Sequence, residues 1–185
     1  MHRTARAGRP PPAAVLFVSA LLWLAALAPP ATAGLGRDPD PAWRHAPDMP
    51  ALVALLEDWL DAESALPRRA APPALRLVSP AEARAMAGRP ARGLGRARGL
   101  YDPGTGTIAL VRPWSPREAG DVSVLLHELV HHRQAALHHY CPAAEEPLAY
   151  RLQEAWLAER GLPLDWPRLA IALAAGCTPH DIHPE

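Results

Sequence analysis

A histidine–glutamate–histidine segment in the middle of the chain has the residue types of a metal centre. His127 and His131 are four residues apart, so on a helix their side chains lie on one face, one turn apart. Two imidazoles so placed can bind one zinc ion, at about 2.0–2.1 Å each. Glu128 cannot readily share the metal, but it can act as general base on water that zinc has made acidic. The spacing therefore predicts a zinc site for peptide-bond hydrolysis.

A third zinc ligand must come from elsewhere, because a catalytic zinc has three protein ligands and keeps its fourth position for water. A metzincin would need glycine and histidine at positions that hold Gln134 and Leu137. A deformylase-type site would need a cysteine before the helix, and both cysteines follow it. The remaining source is a glutamate of a second helix, in the segment 145–150. His138, seven residues beyond His131 on the same face, is the alternative.

The segment 100–157 resembles the gluzincin branch of the zincin metallopeptidases, especially its compact exported members. The sequence HELVHH at 127–132, followed by E-x-x-A-Y at 146–150, is similar to that family's active helix and glutamate helix. It also resembles a small bacterial family of unknown function. The gluzincin resemblance implies Glu128 as the catalytic residue and one zinc ion held by His127, His131 and Glu146.

Glu145 and Glu146 both lie at the predicted start of the glutamate helix, and helical geometry favours Glu146. Positions 146, 149, 150 and 153 share one face, so Tyr150 and Gln153 are placed to orient a ligand. Tyr150 is also the expected catalytic partner that stabilises the oxyanion. Larger gluzincins carry Asn and Asp where this chain has Pro147 and Tyr150. That role therefore stays open, and the other candidates are Tyr140, His138 and His139.

Hydrophobic periodicity and capping residues predict the elements before the motif. A helix over 48–65, capped by Asp48, has an expected core stripe of Leu52, Leu55, Leu56, Trp59 and Leu60. A short strand over 75–78 and a capping-box helix from Ser79 follow. Two strands then flank a turn at 102–106 and form a hairpin. Its second strand, Thr107–Val111, is expected to be an edge strand on which an extended peptide can add.

The motif helix is expected to begin at a capping box over 115–118 or at Asp121. Its broad apolar face consists of Val122, Leu125, Leu126, Leu129 and Val130. A second helix begins near Glu145 or Glu146 and ends at Gly161, and a last helix covers 165–175. These elements predict an α+β class and a zincin-like, mostly helical single domain. A small antiparallel hairpin or sheet would pack on the motif helix, and the glutamate helix would follow.

The first 33 residues have the features of a signal peptide. Three arginines precede an apolar run over 13–28, and Ala31-Thr32-Ala33 forms a small-x-small cleavage site. The run, at about 16 residues, is shorter than the roughly 20 that a membrane span needs, which favours cleavage over an uncleaved anchor. We therefore expect a signal peptide over 1–33, an extended leader over 34–47 and a compact metallopeptidase domain over 48–185.

Charge and cysteine content restrict the partners and the compartment. After signal removal, 16 arginines face 19 acidic residues, and this near-neutral balance argues against a nucleic-acid partner. Cys141 and Cys177 are the only cysteines, and an oxidising exported compartment favours a disulfide between them. The expected protein is periplasmic or secreted, is not membrane-bound after cleavage, and is monomeric.

The leading functional expectation is an exported zinc peptidase that takes peptide or protein substrates, with Glu128 as general base. One alternative is a non-enzymatic envelope protein that keeps the metal for stability or zinc storage. Another is a zinc amidase that acts on cell-wall peptides. The sequence alone does not show whether the substrate is a protein or a cell-wall peptide.

Overall fold

The computed structural model describes residues 41–86, 97–137 and 141–165. All of them belong to the unit Leu35–Glu185, whereas Met1–Gly34 is grouped separately and lies outside the described residues. The predicted signal peptide, residues 87–96 and almost all of the predicted last helix also lie outside them. Among the described residues, no helix is both long enough and apolar enough to cross a membrane.

The described residues contain four α-helices and a three-stranded sheet, which confirms the predicted α+β class. Two short 3-10 helices, Ala42–His45 and Pro142–Glu145, accompany them. In chain order the elements are α1 (Met49–Glu63), β1 (Ala74–Val78), α2 (Pro80–Met86), β2 (Gly99–Asp102), β3 (Thr107–Val111), α3 (Ala119–Gln134) and α4 (Glu146–Glu159).

Helix α1 begins at its predicted cap, but its buried stripe is narrower than expected. The Asp48 side chain accepts a hydrogen bond from the Ala51 amide at 2.8 Å, which satisfies one of the free donors of the first turn. Leu55 and Trp59 are not part of the buried stripe. Leu55 is 36% exposed, and Trp59 is partly buried and donates through Nε1 to the Glu159 carboxylate. The buried leucines of this helix are Leu52, Leu56 and Leu60.

The sheet has the order β1–β3–β2, so the expectation that Thr107–Val111 is an edge strand is wrong. The hairpin between β2 and β3 is antiparallel as predicted. The other side of β3 pairs in parallel with β1, from Ala74 opposite Thr107 to Val78 opposite Val111. Such a parallel pairing needs a crossover connection, which the local alternation of apolar residues does not reveal.

Strand β2 is therefore an edge of the described sheet. The amide of Val111 donates to the carbonyl of Arg98 at 2.9 Å. Since the main-chain groups of successive strand residues point alternately to either side, those of Leu100 also face β3. The main-chain groups of Gly99 and Tyr101 face away from β3.

Helix α3 begins later than the predicted capping box. Its N-cap is Glu118, whose side chain makes no capping hydrogen bond. The Ser115 hydroxyl accepts from the Arg117 amide at 3.2 Å instead. Asp121 is not a cap either. It lies inside the first turn, accepts from the Ser115 amide at 2.8 Å and forms an ion pair with Arg98.

The core lies between α3 and its neighbours, and α4 begins at Glu146 as predicted. The apolar face predicted for α3 is fully buried, and each such side chain contributes about 1.5–3 kcal/mol. Ala149 of α4 is completely buried as well, which allows α3 and α4 to approach closely. The region predicted as an extended leader contains the 3-10 helix Ala42–His45, and Trp43 packs on Trp156 with ring centroids 5.6 Å apart.

The predicted disulfide is only partly within the described residues. Cys141 is buried and disulfide-bonded. Cys177 lies outside the described residues, as do His138, His139 and Tyr140.

Candidate metal centre

Helix α3 presents His127 and His131 on one face, as their spacing predicts. Their Nε2 atoms are 3.0 Å apart, and the two rings lie edge to face with centroids 4.7 Å apart. Each residue is 8% exposed. Two ring nitrogens of an almost entirely buried helix therefore converge on one point.

The first residue of α4 brings a carboxylate to the same point. Glu146 Oε2 lies 3.4 Å from His127 Nε2, and Glu146 Oε1 lies 3.6 Å from His131 Nε2. One ligand atom from each of the three residues lies within 4.8 Å of the other two, so the group can hold a metal ion. Glu145 is placed differently, since its Oε2 is 3.5 Å from the opposite ring nitrogen, Nδ1, of His131.

The donor set fits a divalent cation such as zinc. Imidazole nitrogen and carboxylate oxygen are both common zinc ligands. The two Nε2 atoms are 3.0 Å apart, and when neither carries a proton, a cation bound by both lone pairs offsets the repulsion between them. The arrangement thus suits a positive charge at the point where the three residues meet.

Charge at this cluster shifts the pKa values of two of its members in opposite directions. Burial lowers the pKa of His131, but a hydrogen bond with Glu145 and the charges of Glu128 and Glu146 outweigh it and raise that pKa overall. Burial raises the pKa of Glu146, but His127 and His131 outweigh it and lower that pKa overall. Both shifts favour the charged forms, as expected of groups that share one small polar site.

Glu128 lies beside the cluster and is almost fully buried, with 6% of its surface exposed. Burial raises the pKa of its carboxyl group, against the lowering effect of the two histidines. Strand β2 covers it at Gly99. A Cβ atom at Gly99 would lie 2.6 Å from Glu128 Oε1 and 2.8 Å from Val124 Cγ1. Only a residue without a side chain allows the strand to come this close.

Two glutamines contact the outer nitrogens of the histidine rings. Gln153 Oε1 lies 3.1 Å from His127 Nδ1, and Gln134 Oε1 lies 3.2 Å from His131 Nδ1. Gln153 was predicted near the site from its helical position. The contact of Gln134 was missed, because that residue had served only to exclude a metzincin. Its position three residues after His131, on the same helix, was the available signal.

Tyr150, the predicted catalytic partner, lies against His127. The two rings meet edge to face with centroids 4.5 Å apart. Burial and the charges of Glu146 and Glu128 raise the pKa of the Tyr150 hydroxyl to about 12. The group therefore stays protonated at neutral pH and remains a hydrogen-bond donor.

A cavity of about 880 Å³ opens over the cluster. Helix α3 lines it from Ala119 at the start of the helix, past the histidines, and Ala135 just beyond the helix end lines it as well. Residues of β2 and α4 line it too. The cavity is of the size that small-molecule and cofactor sites occupy.

Comparison with known protein families gives a match to a domain of unknown function (DUF6647) over residues 45–185. The chain belongs to this family. The DUF6647 match includes all three residues of the metal-capable cluster, together with Glu128 and Tyr150. No curated protein and no solved structure matches the chain.

Proposed function

We propose that the chain is an exported zinc-dependent peptidase with a zincin-like site of the gluzincin type. The observation that carries the proposal is the convergence of two histidine Nε2 atoms and the Glu146 carboxylate beside the buried Glu128. His127, His131 and Glu146 would hold the zinc ion. A zinc ion bound there would polarise a substrate carbonyl and lower the pKa of water enough to supply a nucleophile at neutral pH.

Glu128 is the proposed general base. Its burial places the carboxylate in a setting where a pKa above the usual range makes it a better proton acceptor. It would take a proton from the attacking water and give it to the leaving amine, which needs one as the peptide bond breaks. The Tyr150 hydroxyl would donate a hydrogen bond to the carbonyl oxygen while negative charge develops on it.

The outer edge of β2 is the proposed site for the substrate backbone. The main-chain groups of Gly99 and Tyr101 face away from β3, and both residues line the cavity over the metal centre. An extended peptide can add there as a further strand. Successive N-methylation of a cleaved peptide should then lower kcat/KM at alternate positions. An equal loss of kcat/KM at every position, or no loss at any position, would rule this binding mode out.

Export is proposed from the first 33 residues, with cleavage after Ala33. N-terminal sequencing of the protein recovered from outside the cytoplasm should give Gly34 as the first residue. Recovery of the intact N-terminus in the membrane fraction would favour the uncleaved anchor.

The decisive comparison uses Glu128→Gln and a matched control, Glu63→Gln. Glu63 is an exposed carboxylate at the end of α1 and does not line the cavity. Both variants and the unaltered protein are loaded with zinc and incubated with a broad peptide library, and the products are read by mass spectrometry. Glu128→Gln should keep its zinc and lose roughly 10²–10⁴-fold in rate, while Glu63→Gln should cleave normally.

Other outcomes separate the alternatives. One zinc per chain with no cleavage of proteins, library peptides or cell-wall peptides would favour the non-enzymatic zinc-binding protein. Cleavage of cell-wall peptides alone would favour the amidase. Equal hydrolysis by Glu128→Gln and the unaltered protein would refute the proposed role of Glu128.

A further inference from the structure

We infer that Gln153 and Gln134 fix the tautomers of the two histidines, so that both Nε2 lone pairs face the cluster before a metal ion arrives. These glutamines are positioning residues, because each acts on the metal centre through a histidine. The inference rests on the proposed metal centre but does not depend on peptide hydrolysis.

The side chain of Gln153 is oriented by a chain of hydrogen bonds that ends in the main chain. The Ser123 hydroxyl donates to the carbonyl of Gly120 at 2.8 Å. With its only proton used there, this hydroxyl can only accept from Gln153, whose Nε2 lies 3.0 Å away. The amide nitrogen of Gln153 therefore points to Ser123, and its oxygen points to His127.

The oxygen of Gln153 determines where His127 carries its proton. An amide oxygen can only accept, so the contact of 3.1 Å between Gln153 Oε1 and His127 Nδ1 requires a proton on Nδ1. In the neutral ring the lone pair is then on Nε2. Ser123 is 2% exposed and Gln153 is 6% exposed, so water has little access to compete for these groups.

Gln134 places the proton of His131 on Nδ1 through its own pair of hydrogen bonds. Its Nε2 donates to the carbonyl of Glu145 at 2.9 Å, which leaves Oε1 to accept from His131 Nδ1 at 3.2 Å. The Glu145 carbonyl belongs to the residue just before Glu146. Gln134 thus links one ligand histidine to the main chain beside the third ligand.

The two histidines differ in how much they depend on their glutamine. The Glu145 carboxylate also lies 3.5 Å from His131 Nδ1 and can accept its proton if Gln134 is lost. For His127, the only such acceptor that the described hydrogen bonds show is Gln153. Loss of Gln153 should therefore disturb the site more than loss of Gln134.

Nitrogen NMR of the metal-free, full-length protein tests the inference without zinc or substrate. At a pH where the rings are neutral, ¹⁵N–¹H spectra should show His127 and His131 protonated on Nδ1, whereas free histidine in water favours Nε2–H. A wild-type protein with Nε2–H at His127 would overturn the inference, whatever the protein hydrolyses.

Metal affinity gives a second measurement, with Gln153→Met and Gln153→Glu as a pair. Loss of an outer partner of a metal-bound histidine typically weakens binding roughly 10–100-fold, and Gln153→Met should fall in this range. Gln153→Glu keeps an acceptor facing Nδ1 and should restore the Nδ1–H tautomer and most of the affinity. Equal zinc affinity of Gln153→Met and wild type would contradict the inference.

Ser123→Ala covers the case in which Gln153→Met does not fold, because it removes only the group that orients the amide. His127 should then show a mixture of tautomers, and zinc affinity should fall by less than in Gln153→Met. Unchanged NMR spectra in a folded Ser123→Ala protein would show that the hydrogen-bond chain does not orient Gln153. Circular dichroism of each variant shows whether it is folded.

Discussion

Helix α3 carries two buried polar clusters that differ in how their charges are satisfied. Arg133 is completely buried, and its guanidinium pairs with Glu57 and Asp61 and donates to the Leu66 carbonyl at 3.0 Å. Two residues earlier, His131 belongs to a cluster in which two ring nitrogens face each other and Glu128 is buried beside them. The first cluster contains its own countercharges. In the second, the ligand atoms of His127, His131 and Glu146 lie within 4.8 Å of one another.

We interpret the first cluster as structural and the second as the proposed metal centre. A buried ion pair with full hydrogen bonding holds its elements in place, here α3 against α1, and needs nothing further. A cluster of two imidazole nitrogens and a carboxylate oxygen would be stabilised by a bound divalent cation. This contrast adds to the support that the HExxH pattern gives for a metal centre, because only in the second cluster do two ring nitrogens and a carboxylate converge on one point.

Removal of the buried guanidinium should have the largest effect on stability. Arg133→Met leaves Glu57 buried without its countercharge, which typically costs about 3–5 kcal/mol of unfolding free energy. Urea unfolding measures this loss, with Arg68→Met as control, since Arg68 contacts the same acidic residues but its side chain is 40% exposed. Arg68→Met should change stability little. Similar losses of unfolding free energy in the two variants would mean that the burial of Arg133 does not determine its contribution to stability.

The two adjacent glutamates should differ in their effect on zinc affinity. Glu146→Gln removes the carboxylate that faces both Nε2 atoms, so zinc affinity should fall by more than the roughly 10–100-fold expected for an outer partner. Glu145→Gln changes a group that faces only the outer nitrogen of His131 and should have a smaller effect. Competition with a chromophoric chelator measures both. A larger loss in Glu145→Gln would move the third ligand to that residue.

As pH rises, the stability of the metal-free protein should fall while its affinity for zinc increases. The pKa of His131 is raised above 6.5 in the folded state, so its contribution to stability is fully present below pH 6.5 and is lost as pH rises through the folded pKa. Zinc requires the neutral ring, so its affinity should increase over the same interval. Thermal unfolding measures the stability and zinc titration measures the affinity across this pH interval. If stability and zinc affinity changed in the same direction with pH, then the proton and the metal ion would not compete for His131.

Much of the helical framework could be predicted from the sequence because it depends on local signals. The Asp48 cap, the apolar face of α3 and the start of α4 at Glu146 all follow from spacing within a few residues. The parallel pairing of β1 with β3 joins segments that are about thirty residues apart in the chain and has no such signal.

The centre of the site was predictable, and its surroundings were less so. The helical spacing of His127 and His131 and the position of Glu146 placed the three residues of the cluster. The approach of Gly99 to Glu128 depends on where β2 crosses α3, and the role of Gln134 depends on a carbonyl of another element. These contacts form between segments that are distant in sequence, so composition and periodicity could not reveal them.

X-ray absorption at the zinc edge of the purified protein, combined with metal analysis, tests the central claim most directly. The account predicts one zinc per chain, with two imidazole nitrogens at about 2.0–2.1 Å, a carboxylate oxygen at about 2.0–2.2 Å and no sulfur ligand. The double variant His127→Ala/His131→Ala should take up no zinc. A protein that binds no stoichiometric zinc, or whose zinc has a sulfur ligand or survives the double variant, would contradict the account.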